Sequence, residues 1–195
     1  MTESIDIAAG AAAFGDGRHP TTAMMLMALE ALDAGQFHPH RICDMGAGSG
    51  ILSLRAAQKF PDATILAADS AQDAVAAIAE NAATNQQPQI LPVHANSFRH
   101  PTLATHAPYD LIMMNILAEP LLSLAADAVA ALAQEGILML SGILLWQQEQ
   151  LIDAYAGLGL DLTHRLQQGD WVTLLWVKTK APLPHSGERL GDQPL

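Results

Sequence analysis

Apolar positions along the chain follow two rhythms. Runs of roughly five or six apolar residues bounded by Gly, Pro, Asn or Asp read as strands, and stretches of roughly ten to fifteen residues with helical spacing read as helices. A helix starts near Thr21, capped by the hydroxyl of Thr21 or Thr22, and runs to about Ala34, where Gly35 stops it. From Arg41 the two kinds alternate. Strand Arg41–Met45 precedes Gly46–Gly50 and helix Ile51–Phe60; strand Ala63–Ala68 precedes helix Asp73–Asn85. Gln89–His94 is a strand, short or at an edge because Pro92 lacks a donor. Ser97–Pro108 reads as loop, Tyr109–Asn115 as strand, Pro120–Ala133 as helix, Gly136–Leu140 as strand and Leu145–Leu158 as helix. Leu160–Gln168 and Trp171–Lys178, joined by Gly169-Asp170, form an antiparallel hairpin. The expectation is an α/β sandwich with a mainly parallel sheet. Ligands then sit at the carboxyl ends of strands, in the loops after Met45, Ala68, His94 and Met114.

Composition narrows the class. A chain of 195 residues, 50% hydrophobic and 15% charged, suits one ordinary folded domain. The divisions expected are a short segment over 1–13, a main domain over 14–178 and a loose tail over 179–195. No apolar run approaches the ~18 residues a spanning helix needs, so no membrane is involved. Met1–Gly10 has acids where a secretion signal needs bases, which gives a cytoplasmic location. Nine basic against 20 acidic residues give a net charge of −11, which disfavours nucleic acid and either serves solubility, the plainer reading, or attracts a basic partner. A single cysteine, Cys43, excludes a disulfide framework, and the histidines lack a ligand spacing, so no metal is expected. The Met24, Met25, Met27 cluster reads as core filler.

The chemistry centres on Asp44-Met-Gly46-Ala-Gly48-Ser-Gly50, which closes a strand and opens a helix. A nicotinamide fingerprint would need a third glycine at position 51, which is Ile51. An acid two residues before the first glycine repels a pyrophosphate and suits a cation. Asp69, at the end of the next strand, lies at the spacing of roughly 20 residues where an acid takes a ribose hydroxyl pair. Ribose, adenine and a positive centre without phosphates describe S-adenosyl-L-methionine. A glycine turn without a ligand is the plain alternative, and Asp69 weighs against it.

This loop resembles motif one of Rossmann-like methyltransferases. Phe14-Gly-Asp-Gly-Arg-His-Pro-Thr-Thr22, Asn115-Ile-Leu-Ala118 and Ser141-Gly-Ile-Leu144, in that order, are similar to the ribosomal protein methyltransferase A (PrmA) family, which methylates lysines and the N-terminus of a large-subunit stalk protein. Asp16 and Arg18 stand where the family has threonines, and Ala47 where cysteine is common. About a dozen residues precede Phe14, where the family carries a domain that grips its substrate; only the catalytic part is matched. The resemblance implies a Rossmann-like sandwich with a seven-stranded sheet. It implies cofactor contacts from Thr21, Asp44, Gly46, Gly48, Gly50, Asp69, Asn96 and Asn115, with Asn115 and His19 catalytic. Asn115 would orient an amine nitrogen. His19 would help remove the amine proton or only order its loop, and Asn96 would stand near adenine or only in a turn. The Asn115–Ala118 loop has no aromatic, which favours an aliphatic amine over a planar acceptor. The acceptor expected is a protein lysine or N-terminus, of a basic ribosomal protein among others. The alternatives are a small amine, or a cofactor-binding subunit without catalysis.

Overall fold

The computed structural model describes residues 5, 19–32 and 36–179. The expectations for Gly35, for the Phe14–Arg18 part of the first motif, and for nearly all of the N-terminal segment and the tail lie outside them. Ile5, partly buried, packs against the core.

Seven strands form one sheet. They are β1 (Arg41–Met45), β2 (Thr64–Asp69), β3 (Ile90–His94), β4 (Tyr109–Asn115), β5 (Leu132–Leu144), β6 (Leu160–Gln168) and β7 (Trp171–Lys178), in the spatial order β3-β2-β1-β4-β5-β7-β6. The first five are parallel; β7 runs antiparallel between β5 and β6. β3 is an edge, so Pro92 withholds no ladder hydrogen bond from an outer neighbour. The order reverses between β1 and β4, and the crevice opens above that point.

Period-two alternation sends side chains to two cores. Cys43, Met45, Leu66 and Ile112 pack with α4 (Pro101–His106), α5 (Ala118–Ala131) and α6 (Gln148–Gly157). Ile42, Ile65, Leu111 and Met113 pack with α1 (Pro20–Ala31), α2 (Ile51–Lys59) and α3 (Gln72–Thr84). Met24 and Met25 are buried as expected, but Met27 is 63% exposed. Among the described residues no helix is long and apolar enough to cross a membrane.

Three elements depart from the sequence reading. Ser97–Pro108 contains α4, six residues with one buried apolar side chain, Leu103. Its start repeats the start of α1. In His19-Pro20-Thr21 and His100-Pro101-Thr102 alike, the histidine Nδ1 accepts from the threonine amide, at 3.4 and 3.3 Å, and proline fills the first turn, so His19 and not a hydroxyl of Thr21 or Thr22 caps α1. The fifth strand is far longer than Gly136–Leu140. It starts at Leu132 beside Tyr109, passes through an irregularity, and continues beyond Ser141 because β7 supplies partners to Ile143 and Leu144. Leu145–Gln147 is a 3-10 turn rather than the first turn of α6.

Glycines admit the close approaches at the crevice. Gly142 has φ +84°, and a Cβ there would overlap the backbone of Ile116. Gly142→Ala should therefore cost on the order of 3 kcal/mol, the sum of left-handed strain and overpacking. Gly157→Ala, with open space around it, should be close to neutral. Urea unfolding of both variants checks this.

Asp44 ties β1 to α2. Gly50 has no side chain to cap that helix, and Asp44 Oδ2 instead accepts from the amide and hydroxyl of Ser53, at 3.1 and 2.7 Å. Burial pushes the Asp44 carboxyl up from 3.8 to about 6; the two Ser53 bonds oppose the rise and the Asp69 charge adds to it. The neutral form is thus favoured by folding. Stability from this group is present below pH 3.8 and lost as pH rises through about 6. Across that window the stability of Asp44→Asn relative to the parent should rise by about 3 kcal/mol. Urea unfolding of both proteins at the two ends of the window measures it.

Candidate functional site

The loops after β1 and β4 meet the start of α1 around a cavity of about 390 Å³. Its walls include His19, Thr21 and Thr22 of the α1 start, Gly46–Ser49, the Asn115–Leu117 loop, Gly142 and Trp171. Of the residues singled out from the sequence, His19, Thr21, Gly46, Gly48 and Asn115 therefore share one cavity wall. Asp44, at the end of β1, Gly50, at the end of the glycine loop, and Asp69, at the end of β2, do not line it. Asn96 is exposed just past the end of β3 and does not line the cavity.

The glycine loop folds back on β2: the amides of Gly46 and Ala47 both donate to Ala68 O, at 2.8 and 3.0 Å. Gly46, Gly48 and Gly50 all have positive φ. A Cβ on Gly46 would overlap Ile116, whereas one on Gly48 would meet nothing. Gly48 therefore keeps its backbone bare toward open space, which is what close approach of a ligand requires. Asp69, at the end of β2, is held by amides on both sides. Its Oδ2 accepts from Gly48 N and its Oδ1 from Ala71 N, each at 2.9 Å. Each oxygen retains lone-pair capacity for a hydroxyl. A carboxylate bonded to the glycine loop, one bare glycine and a cavity of this size fit a ribosyl cofactor carrying a cation.

Asn115 ends β4. Its Nδ2 donates to Thr22 Oγ1 at 3.2 Å, which fixes the amide plane and leaves one N–H and the acceptor Oδ1 for other partners. Thr22 is 2% exposed and belongs to α1, so this bond fixes the amide from 93 residues away. A second buried chain lies beneath: Ser141 Oγ meets Thr173 Oγ1 at 2.7 Å and donates to Thr21 O at 3.3 Å. His19 Nδ1 is occupied by Thr21, with Oγ1 at 2.8 Å, and its ring meets Trp171 edge-on, centroids 5.0 Å apart. The loop-ordering role of His19 is thus present in the geometry.

Sequence reasoning missed Trp171 and Thr173 and gave no role in the site to Thr22 and Ser141, which it had only as ends of motifs. Trp171 opens β7, and only the hairpin's antiparallel return brings it beside the first motif. No periodicity announces that. Burial pushes the Cys43 thiol far above its usual value, with the Asp44 charge adding, so it is no nucleophile. Among the described residues no group of three or more His, Cys, Asp or Glu could hold a metal ion.

The profile of a family described as "Ribosomal protein L11 methyltransferase (PrmA)" matches residues 2–179. The ribosomal protein L11 methyltransferase of Brucella suis is 40% identical over 172 residues, which are 88% of this chain and 59% of that protein. The chain thus spans a little under three fifths of such relatives. Ribosomal protein L11 methylase from Lactobacillus delbrueckii subsp. bulgaricus superposes with a TM-score of 0.74 at 28% identity, covering 84% of this chain and 81% of that one. The N-methyltransferase NodS from Bradyrhizobium japonicum WM9, solved with S-adenosyl-L-homocysteine, shares the fold, with a TM-score of 0.67 at 15% identity over 89% of this chain and 94% of NodS. The sheet order, the glycine loop and the match over nearly the whole chain agree: this protein belongs to the ribosomal protein L11 methyltransferase (PrmA) family, whose cofactor is S-adenosylmethionine.

Proposed function

We propose that the chain binds S-adenosylmethionine across its glycine loop and transfers a methyl group to an amine nitrogen of a protein, a lysine or an N-terminus. When bound, the cofactor supplies an electrophilic methyl on a sulfonium. Asp69 would hold the ribose hydroxyls, a charge-assisted pair, while the Gly48 amide fixes its carboxylate. Asp44 would hold α2 and the glycine loop in place from behind and add negative charge near the cationic end. Asn96, just past β3, would stand near the adenine or serve only in its turn.

The observation that carries the amine reading is the anchored amide of Asn115. With the amide plane fixed by Thr22, Oδ1 would accept one proton of a neutral amine and leave its lone pair directed away from the asparagine. An ordinary lysine, pKa about 10.4, must first lose a proton. His19 Nδ1 already serves as a cap, so a proton taken by this histidine would go to Nε2. The loop after β4 has no aromatic, but Trp171 enters the cavity from the other side, and its indole suits an ammonium before deprotonation.

Two outcomes test the reading. Calorimetric titration should show binding of S-adenosylmethionine and S-adenosylhomocysteine and none of NAD. Asp69→Ala should weaken binding roughly tenfold to a hundredfold, the worth of hydrogen bonds to a charged group. Unchanged affinity would remove Asp69 from the site. Tritiated methyl transfer to proteins of a cell lysate, followed by amino-acid analysis, should yield N-methylated lysine or a methylated N-terminus. With an acceptor so identified, Asn115→Ala should lower single-turnover transfer on the order of 10²-fold and leave cofactor affinity nearly unchanged. Loss of cofactor binding in a folded Asn115→Ala protein would refute the acceptor role.

A further inference from the structure

The two most exposed large apolar side chains among the described residues are Trp146, 78% exposed, and Leu117, 69%. They belong to adjoining concavities. Leu117 lines the cavity described above. Its chain neighbour Ala118 lines a second one of about 550 Å³, together with Glu119 and Leu122 of α5, Trp146 of the 3-10 turn and Gln150 of α6. The linings of the two concavities thus adjoin in the chain at Leu117 and Ala118, two and three residues past Asn115. From there the groove runs between the first turns of α5 and α6, with Trp146 on its wall.

We propose that this groove seats the polypeptide segment flanking the acceptor amine, an extended stretch that lays an apolar side chain on Trp146 and basic side chains against Glu119 and Glu149. The proposal rests on the amine-methyltransferase reading above. Three observations select this occupant. A small amine would be contained by the reaction cavity and would have no use for a groove continuing past Leu117. Glu119 and Glu149 are exposed in the first turns of α5 and α6, no Lys or Arg lines the groove, and the chain carries a net charge of −11; a phosphate backbone is therefore repelled and a basic segment attracted. An exposed tryptophan beside a groove is the side-chain type that most often dominates the energy of a protein contact.

The test separates this proposal from the reading beneath it. The protein is loaded with S-adenosylhomocysteine. Fluorescein-labelled peptides of about a dozen residues are titrated in, each with a central lysine. One set carries leucine or phenylalanine and arginines around the lysine; its twin set has glutamates in place of the arginines. Anisotropy should show binding of the basic–apolar set only, weakening as salt rises. Trp146→Ala and Glu119→Lys should each reduce it about tenfold, with S-adenosylhomocysteine affinity unchanged in both. Both positions are exposed, and the unchanged cofactor affinity reports an intact fold. Binding indifferent to both substitutions, preference for the acidic twins, or no binding of either set overturns the docking groove. Self-association of the protein that Trp146→Ala abolishes would make a second copy the occupant and overturns it equally. Failure of the unaltered protein to bind S-adenosylhomocysteine overturns the methyltransferase reading itself, whatever the peptides do.

Discussion

Ile116 is wedged between two glycines, and the shape of the crevice depends on that contact. Its side chain fills the space a Cβ on Gly46 would take, and its backbone fills the space beside Gly142. The loops after β1 and β4 and the irregular stretch of β5 at Gly142 therefore close on one another at a distance that only glycine permits on two of the three sides. Asn115 precedes Ile116 and inherits its position from this wedge. So does the bare stretch at Gly48, because the loop has already turned tightly at Gly46.

Around the wedge the protein spends polar groups where apolar ones would pack more simply. Asp44, Ser53, Thr21, Thr22, Ser141 and Thr173 are all under 5% exposed, and each of their side chains except that of Thr21 is held by a hydrogen bond to another of the group or to Asn115; Thr21 bonds His19. Satisfied buried pairs cost little net stability, but each orphaned partner would cost on the order of 1–3 kcal/mol. The return is directional. The bonds of Asn115 and Ser141 join the start of α1 to the ends of β4 and β5, and the Ser53 pair joins β1 to α2. A purely apolar seam would leave those elements free to slide.

Much of this was legible in the sequence, and the reasons differ by element. Alternation of strands and helices gave the parallel sheet, because buried parallel strands are continuous apolar runs with glycine at their ends. Pro92 marked an edge. The placement of Asp44, the three glycines and Asp69 around one turn was legible because it is local, within one strand–loop–helix unit and its neighbour. What escaped was either too small or too distant. α4 has one buried apolar residue, so no period exists to detect; its only signal is the His-Pro-Thr start it shares with α1. The extension of β5 past Ser141 and the arrival of Trp171 at the cavity both depend on β7, whose slot in the sheet is a tertiary fact.

That slot has a consequence for the order of assembly. The chain leaves β5, crosses through α6 to lay down the outermost strand, and only then returns to fill the gap with β7. A nascent chain emerging from its N-terminus can build the parallel half, glycine loop included, well before β7 exists. Trp171 and Thr173 ride on that last described strand. Until it zips in, the α1 start lacks the hydroxyl chain beneath it, the cavity lacks a wall, and β5 presents an unpaired apolar edge. Completion of the sheet and completion of the cavity are one event, so a chain cut short before β7 would have a cofactor loop without an enclosed site.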